Sequence, residues 1–183
     1  MKFLRNIRYR LAKKNLSQEH HKLIRQRKPH NLDSARTIAL LYYLPDEDTY
    51  KKVEEFIRLF TDKGIKVRVV SYTDQKITPH YFIPKLMQDI LTVKDINWQF
   101  TPVKPFVKDF LEEEFDILIN LALTEQFPLM YLSAKARASL KIGKFDEEHQ
   151  EYYDLMIEIP SDSDLSYFTE QVIFYLKKIN TET

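Results

Sequence analysis

Apolar positions follow two different periods along this 183-residue chain. Thr37-Ile38-Ala39-Leu40-Leu41-Tyr42-Tyr43 is a continuous apolar run of strand length, as expected of a strand buried on both faces of a parallel sheet. The period then becomes helical, with Val53, Phe56, Ile57 and Phe60 on one stripe. Asp46 or Asp48 can cap that helix, and Gly64 follows its last periodic residue. Lys66 to Tyr72 reads as a second strand, so residues 37–72 form one strand–helix–strand unit, expected to cross right-handed. Residues 79–91 predict a short helix with Phe82, Leu86, Ile90 and Leu91 inward, and Ile96 to Thr101, with the sole tryptophan Trp98, a third strand near an edge. Pro105 opens a helix carrying Phe106, Val107, Phe110 and Leu111. Phe115 to Leu121 is the fourth strand, Pro128 to Ala138 a helix, Leu140 to Gly143 a short fifth strand and Asp154 to Ile159 a sixth. Ser163 or Asp164 caps a last helix with Phe168, Val172, Tyr175, Leu176 and Ile179 inward. The alternation predicts a three-layer α/β domain, a Rossmann-like or flavodoxin-like open sheet of five or six mostly parallel strands.

The first 30 residues differ from this body. They carry ten basic side chains against one acid, a formal charge of +9, leaving 18 basic and 26 acidic residues, or −8, for the rest. Leu4, Ile7 and Leu11 recur at helical spacing, with Phe3 and Leu16 near the same stripe, which predicts a basic amphipathic helix. The expected organisation is a basic helical arm over residues 1–30 and a single α/β domain over 31–183, with Pro29 in the linker. Three readings fit the arm: a helix docked on the acidic body, in the same chain or in a homodimer; a nucleic-acid or ribosome contact; or attachment to an anionic membrane surface. Arg5, Arg8, Lys13, Lys14, Arg25 and Arg27 are the candidate contacts to an anionic partner. His20, His21 and His30 read as solvated loop histidines, because adjacent histidines do not make an i, i+4 metal pair.

Composition removes several chemistries. There is no cysteine, so disulfides, thiolate metal sites and a cysteine nucleophile are excluded. The only glycines, Gly64 and Gly143, cannot supply a dinucleotide fingerprint or a phosphate loop. No apolar run reaches the roughly 18–20 residues that span a bilayer. No continuous apolar stretch follows the N-terminal charges, which argues against a secretory signal; in the membrane reading the protein is peripheral to the inner membrane. No cofactor, metal or catalytic residue is expected.

The stretch from Phe115-Asp116-Ile117-Leu118-Ile119-Asn120-Leu121 through Ala134-Lys135-Ala136-Arg137 to Lys141-Ile142-Gly143-Lys144, with the late Tyr153-Asp154-Leu155-Met156-Ile157-Glu158-Ile159, resembles a family of uncharacterised small bacterial α/β proteins with a basic N-terminal helix. That resemblance implies the fold and a cytoplasmic setting, and no activity. Residues 115–144 are also similar to the acceptor-side domain of heptosyltransferase-type glycosyltransferases, where a strand ending in an aspartate-containing turn precedes a helix and a short Ile-Gly strand. Leu44-Pro45-Asp46-Glu47 stands where those enzymes have a glycine-rich loop, and no second nucleotide-sugar domain follows, so transferase chemistry is not expected.

In an open parallel sheet, ligands gather beyond the C-terminal strand ends. Asp46, Asp48, Tyr72, Asn120, Thr124, Glu125 and Lys144 fall there and are the candidate pocket, with Glu125 and Asp46 able to act as acid, base or hard-cation ligands. The same residue types also form caps and turns at strand–helix junctions. His149, in the acidic run Asp146 to Glu151, reads as part of a solvated loop. The favoured function is a non-catalytic binding or adaptor protein acting through its arm; the alternative is a small enzyme or ligand-binding domain using the strand-end pocket.

Overall fold

The structure, a computed structural model, describes residues 2–181, with Lys2, Phe3 and Arg5 described in their backbone alone. An N-terminal helix α1 (Lys2–His20) precedes β1 (Thr37–Tyr43), α2 (Glu47–Thr61), β2 (Lys66–Tyr72) and β3 (Gln88–Leu91). Then come α3 (Pro105–Glu112), β4 (Glu114–Asn120), α4 (Phe127–Lys135), β5 (Arg137–Lys144), β6 (Leu155–Ile157) and α5 (Leu165–Lys178). The six strands form one sheet in the order β3-β2-β1-β4-β5-β6, and every neighbouring pair is parallel. Chain order turns back between β1 and β4, which selects the Rossmann order over the flavodoxin order.

Register aligns the apolar positions in rows. Val67, Ile38, Ile117 and Leu140 lie side by side across four strands, as do Val69, Leu40, Ile119 and Ile142. These rows form one core with α2 and α5, through Val53, Phe56, Phe60, Phe168 and Val172. Ala39, Leu41, Val70 and Leu118 point the other way, under Val107 and Phe110 of α3 and Leu129 and Leu132 of α4. The result is a three-layer sandwich.

The sequence patterns misplace three elements. Residues 79–87 are not helical: Pro79 and Pro84 each remove a donor, Met87 has φ +68°, and Leu86 is 94% exposed. Ile90 and Leu91 are instead the buried end of β3, paired with Ser71 and Tyr72. Residues 96–102 form a loop, not a strand, because the Asn97 side chain accepts from the Gln99 and Thr101 amides and turns the chain. Trp98 is exposed at its tip. Finally, α4 ends at Lys135 and β5 begins at Arg137, since Ala136 is already extended (φ −64°, ψ 149°).

The arm docks, but by the face opposite to Leu4, Ile7 and Leu11; Leu16, expected near that stripe, lies on the docked face. Leu4, Ile7 and Leu11 are 65%, 40% and 55% exposed. Ala12 and Leu16 are buried, and with the half-buried Tyr9 they face Phe127, Met130 and Ala134 of α4 and Tyr152. His20 continues that face, its Nδ1 and Nε2 bonding the carbonyls of Ala134 (2.8 Å) and Glu151 (2.9 Å). Tyr, Ala and His score weakly as apolar, so this second stripe is faint in the sequence beside three aliphatic residues. His20 and His30 are therefore buried rather than solvated, His30 within 3.8 Å of Asp116; His21 is exposed, its Nε2 3.1 Å from the Glu151 carboxylate. After α1 the chain is non-helical and runs under the N-terminal strand ends, where the Lys28 amide donates to Ser139.

Candidate functional site

Parallel strands deliver Asn120 and Gly143 to adjacent positions where β4 and β5 end. Asn120 is buried and holds three neighbours: its Nδ2 donates to Ser133 Oγ (3.2 Å) and the Tyr153 hydroxyl (2.8 Å), and its Oδ1 accepts from the Ala122 amide (3.1 Å). A Cβ on Gly143 would lie 2.6 Å from the Tyr153 ring, so only glycine lets that ring close over the strand end. Burial pushes the Tyr153 hydroxyl above its ordinary pKa, against the opposing hydrogen bonds from Ser133 and Asn120. Above this floor is a cleft of about 70 Å³, walled by Leu123, Thr124 and Glu125 on one side and Lys144, Asp146 and His149 on the other. Lys144 donates across it to the Leu123 carbonyl (3.0 Å). The volume suits a few waters or a small ion, not a nucleotide.

Acids from both walls cluster at the rim, with Glu148 beside them. Glu125 accepts from the Tyr9 hydroxyl at Oε1 and from Lys13 Nζ at Oε2 (3.0 Å), and the same ammonium reaches Glu148 Oε2 at 3.0 Å. Asp146 caps the 3₁₀ segment Glu147–Tyr152 through the Glu148 amide (2.8 Å) and lies 3.2 Å from His149 Nδ1. His149 is buried, not solvated, and its ring stacks on Tyr152. Burial raises the Glu125 carboxyl pKa; His149 opposes this, and Glu148 and Asp146 add to it. The spacing Asp146-x-x-His149 just past a strand end is the signal that could have found this pair in the sequence.

Of the candidate pocket residues, the fold brings Asn120, Thr124, Glu125 and Lys144 together. Asp46 and Asp48 stand instead beyond β1: Asp46 caps α2 by accepting from the Thr49 amide (2.8 Å), and Asp48 pairs with Lys52 on the helix surface. Tyr72 is buried against Tyr43. In this strand order a dinucleotide pyrophosphate would meet the N-terminus of α2, where Asp46, Glu47 and Asp48 would repel it.

The basic candidates separate as well. Lys13 faces the acid cluster, and Arg8 donates to the Trp98 carbonyl with its guanidinium 5.6 Å from that ring. Arg25 is turned inward to Asp154 (2.6 Å), with Arg27 exposed at 3.4 Å from the same carboxylate. Lys14 and Arg10 are exposed and make no ion pair among the described residues. The side chain of Arg5 lies outside the described residues, as does that of Phe3.

Lys141 is the functional-looking residue that sequence reasoning misses. It is 0% exposed, on the α4 face of β5, and its Nζ donates to the Ser133 (2.7 Å) and Ala134 (3.2 Å) carbonyls, closing the last turn of α4. Burial pulls its pKa down to about 7, helped by Arg25 and opposed by Asp154. Two carbonyls match the two N–H donors of a neutral amine. The side chain is closed off from solvent, and its two described contacts tie β5 to the end of α4. Below the folded pKa both states are protonated; between it and the unfolded value near 10.5 the unfolded chain binds more protons, so stability rises with pH. Wild type should gain about 2 kcal/mol over Lys141→Met between pH 7 and 9. Parallel urea titrations at the two pH values check this, and a constant difference would mean the lysine is not titrating there.

An all-parallel sheet in Rossmann order, with an extra helix against α4 and a small polar cleft away from the usual nucleotide position, defines the class of protein. The chain belongs to a family of unknown function (DUF6913), which matches residues 8–179 and so spans both the docking face of α1 and the cleft. No curated protein and no solved structure gives a significant match.

Proposed function

We propose that this is a non-catalytic binding protein that lies on an anionic lipid surface through the outer face of α1. The observation that carries this reading is the exposed stripe Leu4, Ile7 and Leu11 on a helix whose opposite face is already buried against α4. Arg10 and Lys14 border the stripe without partners among the described residues. An in-plane amphipathic helix needs this combination, with apolar residues sinking to the acyl boundary and flanking cations meeting headgroup phosphates. An RNA contact would use the cations but has no use for three exposed aliphatic side chains. The formal charge of −8 on the rest of the chain orients the body away from the lipid. Among the described residues no helix is long and apolar enough to cross a membrane, so the association would be peripheral.

Vesicle sedimentation tests the reading. The protein should bind phosphatidylcholine vesicles containing phosphatidylglycerol, not phosphatidylcholine alone, and binding should fall as salt rises. Leu11→Glu removes an apolar anchor and adds a repelled charge, and should weaken partitioning by about a hundredfold. Binding that this variant leaves unchanged would sink the proposal, as would binding to single-stranded RNA but not to vesicles.

A further inference from the structure

At the rim of the cleft, Glu125, Glu148 and His149 hold more acceptor capacity than their neighbours satisfy. Glu125, Glu148 and His149 each offer a ligand atom, and these lie within 4.8 Å of one another. Asp146 stands behind them. Glu125 and Glu148 share the single ammonium of Lys13, which leaves one negative charge over between them. His149 points away from a simple structural role: its side chain is only 9% exposed, yet Nε2 is buried without a hydrogen-bond partner and lies 3.9 Å from Glu125 Oε2. Its other nitrogen, Nδ1, lies 3.2 Å from the Asp146 carboxylate. A carboxylate that accepts a hydrogen bond from Nδ1–H keeps the proton on Nδ1 and leaves the Nε2 lone pair free to ligate, which is how a ligating imidazole is held in a metal site.

We propose that Glu125, Glu148 and His149 form a binding site for a divalent transition cation of the zinc type, with Asp146 as the positioning residue behind His149. One imidazole nitrogen and two carboxylate oxygens are the donor set of a borderline cation rather than of magnesium, and three protein ligands leave a position for water. Lys13 is the built-in competitor. Its ammonium contacts the same Oε2 atoms of Glu125 and Glu148 that the cation would use, at 3.0 Å each, so the metal must displace it. Metal occupancy therefore removes one of the polar contacts that hold α1 to the domain. This inference does not depend on lipid binding.

The test titrates the full chain with Co²⁺, read by its visible d–d absorption, followed by displacement with Zn²⁺. One equivalent should bind. Lys13→Met should tighten binding by about tenfold or more, because the tethered cation is gone. Asp146→Asn should weaken it by about 10–100-fold, the usual effect of losing the carboxylate behind a ligating histidine. His149→Gln should abolish it, and Glu148→Gln, at an exposed side chain, should weaken it while leaving the protein folded. Absence of Co²⁺ binding by both wild type and Lys13→Met would overturn the site, as would binding undiminished in both His149→Gln and Glu148→Gln.

Discussion

Arg25→Ala should lower the unfolding free energy by about 3 kcal/mol, although Arg25 lies in the charged N-terminal segment that reads as a separable arm. The guanidinium is buried, with Nη2 on Asp154 Oδ1 at 2.6 Å and Nη1 on the carbonyls of Ala138 (2.9 Å) and Ser139 (3.2 Å). Asp154 is itself shielded and also accepts from the Lys141 amide at 2.8 Å, so this ion pair joins the arm, β5 and the start of β6. Removing the cation leaves a poorly solvated carboxylate and two carbonyls without that donor. The exposed Arg27, at 3.4 Å, compensates in part, which places the estimate at the low end for a broken buried pair. Arg25→Lys keeps the charge but loses the fork, and should recover about half. Urea unfolding with unchanged slope measures all three proteins. A loss under about 1 kcal/mol would show that residues 23–30 lie on the domain without stabilising it.

Leu118→Ala should cost about 2–5 kcal/mol. Leu118 is fully buried on β4, between β1 and β5, opposite Ala39 and beneath the α3 and α4 layer. Surrounding strands are fixed by ladder hydrogen bonds, so the site cannot collapse around the lost atoms. Leu86→Ala is the matched control: the same chemistry at an almost fully exposed position should change stability by less than about 0.5 kcal/mol. Equal effects at the two leucines would mean that the loop before β3 carries a core contact absent from this fold.

Strands β1, β2 and β4 and helices α2, α3 and α5 were legible because each carries its signal locally. The run from Thr37 to Tyr43 is apolar throughout, Pro105 starts α3, and Asp164 caps α5 through the Tyr167 amide at 3.0 Å. The loops before and after β3 were not, because a short apolar run fits a helix or a strand equally and the turn chemistry of Asn97 outweighed it. The docking face of α1 was missed for a different reason. Two stripes compete on that helix, and which of them is covered depends on what α4 presents.

The cleft divides along the same line. Asn120, Thr124, Glu125 and Lys144 were placed by one general rule, that ligands collect beyond parallel strand ends. Asp46, Asp48 and Tyr72 obey that rule equally well and lie elsewhere along the edge.

By itself, the sequence determined the layer architecture, the parallel direction of the sheet, the exclusion of thiolate and glycine-loop chemistry, and the charge contrast between the N-terminal segment and the body. All of these depend on residue type and on spacings shorter than a helix. Tertiary structure alone decided the strand order, the inward turn of Arg25, the burial of Lys141 and His149, and the bridge from Lys13 to Glu125 and Glu148. Each of these joins residues far apart in the chain or sets the dielectric around a charge, and local periodicity contains neither quantity.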